Sequence, residues 1–109
     1  MKYLSRPEEL VLLAIWKIQD EPYGVNIRKF VMELTGKYWS IGSIYVPLDR
    51  LEEKGFLESY LAEPTPERGG KSKRYYELTK EGLVQLEEIR RIYQAAWKNM
   101  PELSKKKIR

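Results

Sequence analysis

The stretch ERGGKSKRYYELTKEG, residues 67 to 82, sets Gly69 and Gly70 among the cations Arg68, Lys71, Lys73 and Arg74, directly ahead of Tyr75 and Tyr76. From Tyr75 to Leu78 the residues alternate in polarity, as they do from Leu57 to Leu61, so two strands of a hairpin are expected. Between them, from about Ala62 to Ser72, lie Pro64, Pro66, Gly69 and Gly70, which makes the connection too long for a tight turn. The plain reading of such a loop is a solvated connection kept soluble by its charges. What it is for depends on the elements around it.

Upstream, Ser5-Arg6-Pro7-Glu8 has the S-x-x-E form of a capping box with proline in the first turn, and predicts a helix to about Gln19. Its stretch from Leu10 to Trp16 is apolar on every side, so two faces should be covered, one of them by something beyond the helix's own small core. Glu21-Pro22-Tyr23-Gly24 breaks the chain. Val25, Ile27, Phe30, Val31 and Leu34 then recur at helical spacing until Gly36, a natural helix stop. Lys37, Tyr38 and Trp39 connect to Ser40, an N-cap, and Ile41, Ile44, Leu48 and Leu51 mark one face of a third helix ending near Lys54 and Gly55. Pro47 deletes one backbone hydrogen bond there and predicts a kink or a late start. After the hairpin, Thr79 caps a last helix from Lys80 to about Met100, ended by Pro101.

Helix, helix, helix, strand, loop, strand, helix is the order of a winged helix-turn-helix: mainly α, with a small β-hairpin. The expected organisation is a DNA-binding domain over residues 1–78, a C-terminal dimerisation helix over 79–103 and a basic disordered tail over 104–109. In such a fold the long loop is the wing. The third helix enters the major groove of double-stranded DNA while the wing follows the backbone, where cations neutralise phosphates and glycines permit close approach.

Composition agrees and excludes other classes. One domain fits in 109 residues. The net charge of +4 comes from 20 Lys and Arg against 16 Asp and Glu, and Lys105, Lys106, Lys107 and Arg109 account for all of it. That tail is either a phosphate-contacting arm or inert solubilising residues. With no His and no Cys, the usual general base, thiolate nucleophile and zinc site are missing, and no Gly-rich phosphate loop replaces them. No catalytic residue, metal or cofactor is expected. The longest apolar run, Leu10 to Trp16, is too short for a membrane span and does not have the flanks of a signal peptide, so a cytoplasmic protein is expected.

Two motifs add a resemblance. Tyr45-x-x-Leu48-x-Arg50-Leu51-Glu52-x-x-Gly55-Phe56 and Arg74-Tyr75-Tyr76-x-Leu78-Thr79-x-x-Gly82, with Tyr23-Gly24 at the start of the second helix, resemble the PadR-like transcriptional regulators. The match spans most of residues 5 to 100. It implies a dimeric bacterial or archaeal winged-helix repressor that dimerises through its C-terminal helix, here short as in the compact branch of the family. Two positions depart from the pattern: Val46 stands between the motif tyrosine and Pro47, and Asp49 occupies a place where a basic residue is frequent.

On the third helix, Ser40, Gly42, Ser43 and Tyr45 are the candidate DNA contacts, the hydroxyls as hydrogen-bonding groups and Gly42 as a point of close approach. The plain alternatives are a simple cap for Ser40 and a half-buried aromatic for Tyr45. Neither arginine nor asparagine occurs in the first two turns, so discrimination would lean on DNA shape and on the wing cations Arg68, Lys71, Lys73 and Arg74. Tyr23, Lys29, Lys37 and Tyr38 are candidates for flanking phosphates.

In the last helix Leu86, Ile89, Tyr93, Ala96 and Met100 fall on a heptad stripe that Leu83 and Trp97 widen. With Leu10, Leu13 and Trp16 of the first helix they form the expected homodimer interface, and a two-fold protein implies a two-fold operator. Some relatives sense small aromatic or cationic compounds at such an interface, so the resemblance makes Trp16, Tyr93 and Trp97 candidate walls of an effector pocket; the plain alternative is packing. A rival function is a winged helix used as a protein-interaction module, its wing cations meeting an acidic partner.

Overall fold

A computed structural model describes residues 3–62 and 73–105. Its helices are α1 (Arg6–Ile18), α2 (Gly24–Thr35), α3 (Ile41–Glu53) and α4 (Lys80–Trp97), and the strands are β1 (Leu57–Leu61) and β2 (Arg74–Leu78). Local hydrogen bonds set the helix starts. Ser5 and Glu8 form the expected capping box, the Ser5 N–H donating to Glu8 Oε1 at 2.7 Å and the Glu8 N–H to Ser5 Oγ at 3.3 Å. Ser40 Oγ accepts from the Ser43 N–H at 3.1 Å and Thr79 Oγ1 from the Gly82 N–H at 3.0 Å. Gly36 ends α2 at φ 69°, a left-handed conformation that glycine adopts without strain.

Three helices close over one core. Val11, Leu12, Ala14 and Ile15 of α1 meet Ile27 and Val31 of α2, Ile44, Leu48 and Leu51 of α3, and Leu57 and Tyr76 of the hairpin. Val25 and Leu34, at helical spacing with this face of α2, point out to solvent instead, and so does Ile41 at the first turn of α3. α3 starts at Ile41 and runs without interruption through the buried Pro47, so there is no late start. The bond lost to proline is the one the Ser43 carbonyl would accept, in the first turn.

The hairpin is antiparallel, pairing Leu57 with Leu78, Ser59 with Tyr76 and Leu61 with Arg74. On the other edge of β2 the Tyr76 N–H donates to the Pro22 carbonyl at 2.9 Å, and Tyr23 and Tyr75 form an antiparallel bridge. This added partner, absent from the two-strand expectation, explains why both Tyr75 and Tyr76 are buried although they point to opposite faces of β2.

α4 lies along α1, with Leu86 and Ile89 against the core, and Gly82 allows the close approach at its start: a Cβ there would collide with the Phe56 carbonyl. From Arg90 onward every described residue of α4 is exposed. The radius of gyration, 16.6 Å, exceeds the ~13 Å of a compact chain of this length, as expected when a helix end projects. α4 ends at Trp97, three residues before the expected Met100, because Asn99 turns to φ 58° and Met100 precedes Pro101, which disfavours helical geometry. Met100 is therefore not on the helical stripe. Leu103–Lys105 form a single 3-10 turn, and the rest of the expected disordered tail, residues 106–109, lies outside the described residues.

Candidate nucleic-acid interface

The outer face of α3 exposes Ile41, Gly42, Tyr45, Val46 and Asp49. Ser40 is exposed and Ser43 half-buried, and both are occupied in the cap: besides the bond to Ser40 Oγ, the Ser43 hydroxyl donates to the Ser40 carbonyl at 2.6 Å. A Cβ on Gly42 would meet nothing within 4 Å, so no contact inside the chain requires glycine there. The Tyr45 ring lies across the first turn of α2, where a Cβ on Gly24 would collide with its hydroxyl end. Tyr45 is thus both a surface group and one of the contacts between the two helices of the helix-turn-helix.

The connection between those helices carries a site that periodicity did not reveal. Arg28 donates from Nε to the Trp39 carbonyl at 2.6 Å, and its guanidinium lies 5.4 Å from the centre of the Tyr38 ring, a cation–π distance. The only sequence signal was a cation eleven residues before a tryptophan, which is no motif. Lys29 and Lys37 are exposed beside it.

At the root of the hairpin, Lys73 Nζ sits 3.9 Å from the centre of the Tyr23 ring. Tyr23 meets Tyr75 edge-on and Tyr60 stacks on the same Tyr75, both at 5.7 Å between centroids. Arg74 Nη1 donates to Ser59 Oγ at 2.9 Å, and Ser59 donates to Glu52 Oε2 at 2.7 Å, which ties the hairpin to α3. Burial pushes the Tyr76 phenol up to about 12, with the neighbouring Tyr45, Asp49 and Glu52 adding to the effect and Arg74 opposing it. Arg68 and Lys71, the other two wing cations, lie outside the described residues.

The expected interface residues separate into two groups. Leu10, Leu86 and Ile89 pack against the chain's own core, whereas Leu13, Trp16, Tyr93, Ala96, Trp97 and Met100 stay exposed, Trp97 at 57%. Tyr93 donates to Glu9 Oε1 at 2.9 Å and lines a cavity of about 210 Å³ with Leu4 and Ile92. Trp16 lines a different cavity, at the opposite end of α1. Within this chain, then, Trp16 and Tyr93 do not share a pocket. Among the described residues there is no group of three or more acidic side chains placed to hold a metal, and no helix is long and apolar enough to cross a membrane.

A helix-turn-helix closed by a β-hairpin, with an exposed third helix, is a winged-helix DNA-binding fold. Residues 12–88 match the model of the Transcriptional regulator PadR-like family, and this chain belongs to that family. Solved relatives agree along nearly the whole chain. A PadR-like transcriptional regulator from Bacillus cereus is 27% identical, with 92% of each chain covered and a TM-score of 0.72. A PadR family regulator from Clostridium difficile is 26% identical, covering 88% of this chain and 95% of its own, at a TM-score of 0.71. A putative transcriptional regulator from Thermoplasma acidophilum, 23% identical over 94% of this chain and 96% of its own, shares the fold at a TM-score of 0.74. None of the curated proteins compared matches the chain.

Proposed function

We propose that this chain is a cytoplasmic, sequence-specific regulator that binds double-stranded DNA as a homodimer and represses transcription. The observation that carries the reading is the outer face of α3, where Gly42, Tyr45 and Val46 are exposed beside the Arg28–Tyr38 pair and above the root of a cation-rich hairpin. Ile41 and Val46 add apolar groups of the kind that contact thymine methyls, which compensates for the missing arginine and asparagine. Residues 79–103 serve as the dimerisation element: exposed Tyr93, Ala96 and Trp97 project beyond the subunit, and Leu13 and Trp16 on α1 await cover. A two-fold dimer of this kind would present two copies of α3 to a two-fold site.

Fluorescence anisotropy on duplex fragments from the chain's own genomic neighbourhood, at two salt concentrations, tests this. Tight binding to one fragment that persists at the higher salt supports a specific regulator. Uniform weak binding that vanishes with salt leaves only the electrostatic attraction any basic surface has for DNA, and favours a protein-interaction module.

A further inference from the structure

Four exposed residues of α3, Gly42, Tyr45, Val46 and Asp49, stand at i, i+3, i+4 and i+7 and share one stripe of the helix. Homeodomain recognition helices read the major groove with that same spacing. About 10 Å of rise separates Gly42 from Asp49, within the ~12 Å width of the groove, so a helix that seats Gly42 and Val46 there carries Asp49 in as well. Apart from Tyr45 the side chains of the stripe are short, and the Tyr45 ring is turned aside over the first turn of α2. A Cβ on Gly42 would meet open space. The backbone of α3 can therefore come close enough to the groove floor for a side chain as short as aspartate to reach a base edge. Glu52, on the flank of α3 that faces the hairpin, accepts from Ser59 Oγ at 2.7 Å, whereas among the described residues no side chain pairs with the Asp49 carboxylate.

What a carboxylate can do at that place is narrow. It accepts hydrogen bonds and donates none. Phosphate repels it, so the position in which it is favourable lies over the base edges and not along the backbone. In the major groove guanine presents the acceptors N7 and O6 and thymine the acceptor O4, and each of these opposes a carboxylate. Adenine sets the N7 acceptor beside its N6 amino group. Cytosine alone offers an amino group, N4, with no acceptor of its own in that groove.

We infer that Asp49 is a specificity-determining residue whose carboxylate accepts a hydrogen bond from cytosine N4, one cytosine in each half of a two-fold operator. This rests on the regulator reading and deepens it: Ile41 and Val46 meet thymine methyls, Asp49 meets cytosine, and α3 reads pyrimidines without an arginine or asparagine in its first two turns. The same carboxylate rejects wrong sites, because guanine or thymine in place of the cytosine leaves it facing an acceptor.

The test is selection from a randomised duplex pool by the wild-type protein and by Asp49→Ala, Asp49→Asn and Glu53→Ala, followed by fluorescence anisotropy on the selected site with single base-pair changes. Asp49 and Glu53 are exposed, so all three variants should fold. The wild type should select a site with a C·G pair whose replacement in one half-site costs about tenfold, the scale of a single mismatched pair. Asp49→Ala should lose the preference at that pair, to within about twofold, and keep the rest of the site. Asp49→Asn, whose amide both donates and accepts, should tolerate an A·T pair there. Glu53→Ala, which removes the same charge one turn farther along the helix, should keep the cytosine. An unchanged site for Asp49→Ala, a preference lost at a pair other than C·G, continued rejection of A·T by Asp49→Asn, or loss of the cytosine in Glu53→Ala would each overturn the inference. So would an affinity change equal on every duplex, which is what a carboxylate that only repels phosphate or steadies the wing would give. If the wild type enriches no sequence, the regulator reading fails and this inference with it; if it enriches a site and the Asp49 variants enrich the same one, only this inference fails.

Discussion

Lys54→Met is the substitution that best tests how α1 and α3 are held together. Lys54 Nζ lies 2.7 Å from Glu8 Oε2, joining the C-terminal cap of α3 to the first turn of α1 across 46 residues of sequence. The Glu8 side chain is 4% exposed and that of Lys54 25%. Burial pushes the Glu8 carboxyl up, but hydrogen bonds from Lys54 and Ser5 more than offset it, so the group titrates below its ordinary value of 4.5. Removing the ammonium leaves a buried carboxylate with only Ser5 as donor. Breaking a buried pair costs about 3–5 kcal/mol; because water reaches Lys54, we expect about 2–3 kcal/mol here. Glu8→Gln should cost only about 1 kcal/mol, since its amide oxygen still accepts from Ser5 and the freed ammonium turns to solvent. The pH dependence follows from the sign of the shift. A lowered carboxyl contributes stability above its unfolded pKa that is lost as pH falls through the folded value. In Lys54→Met the carboxyl titrates higher than in wild type, so the deficit is largest at pH 7 and shrinks as acid protonates both forms. Urea denaturation at matched protein concentration and several pH values between 7 and 3.5 reads this directly. A deficit that is constant with pH, or a Glu8→Gln cost equal to that of Lys54→Met, would refute the reasoning.

Two glycines should respond differently to alanine. In Gly82→Ala the new methyl meets the Phe56 carbonyl, which is backbone, so the cost should reach about 3 kcal/mol and lower Tm by roughly 10 °C or more by calorimetry. In Gly24→Ala it meets the end of the Tyr45 ring, which can swing away; stability should change by less than about 1 kcal/mol while DNA affinity falls. Tyr76 should make the fold sensitive to alkali: its phenol, raised from 10.0 to about 12, contributes stability below pH 10 that is lost as pH rises toward 12, roughly 2–3 kcal/mol in all. Tyr76→Phe, followed by circular dichroism, should lack that component. Trp97→Glu should shift the molecule toward monomer in light scattering, because it puts a charge into the proposed apolar interface.

The parts of the fold legible in the sequence are those decided within three or four residues. The Ser5–Glu8 box, the Ser40 and Thr79 caps and the Gly36 stop each satisfy backbone groups that must be satisfied wherever the helix lies. What periodicity could not decide is which apolar residues find cover. Val25, Leu34 and Ile41 have the right spacing and stay exposed, because α2 and α3 meet the core along a narrower stripe than hydrophobicity alone suggests. Tyr75 is hidden for the opposite reason: strand alternation turns it outward, and the Pro22–Tyr23 segment, some fifty residues earlier in the chain, covers it. The all-round apolar surface of α1 predicts cover on two faces; within this chain one is covered by the core, while Leu13 and Trp16 stay half-exposed.

The same long-range contact changes the account of the wing. In sequence, Arg68, Lys71, Lys73 and Arg74 are four equivalent cations; in the structure Lys73 is half-buried with its ammonium on the Tyr23 ring, whereas Arg74 is exposed and, among the described residues, donates once, to Ser59. Guanidinium keeps further donors for a phosphate, but an ammonium placed over a ring must leave it to reach one. Lys73 therefore positions the hairpin root, and under the proposed function Arg68, Lys71 and Arg74 are left as the candidate phosphate contacts. Each phosphate neutralised contributes about −0.9 to the slope of log affinity against log salt, so six contacts in a dimer give about −5.4 and eight give about −7.2. On this argument Arg74→Ala flattens the slope by about 1.8, and Lys73→Ala weakens binding with the slope unchanged. A Lys73→Ala slope that flattens as much as that of Arg74→Ala would return Lys73 to the phosphate backbone.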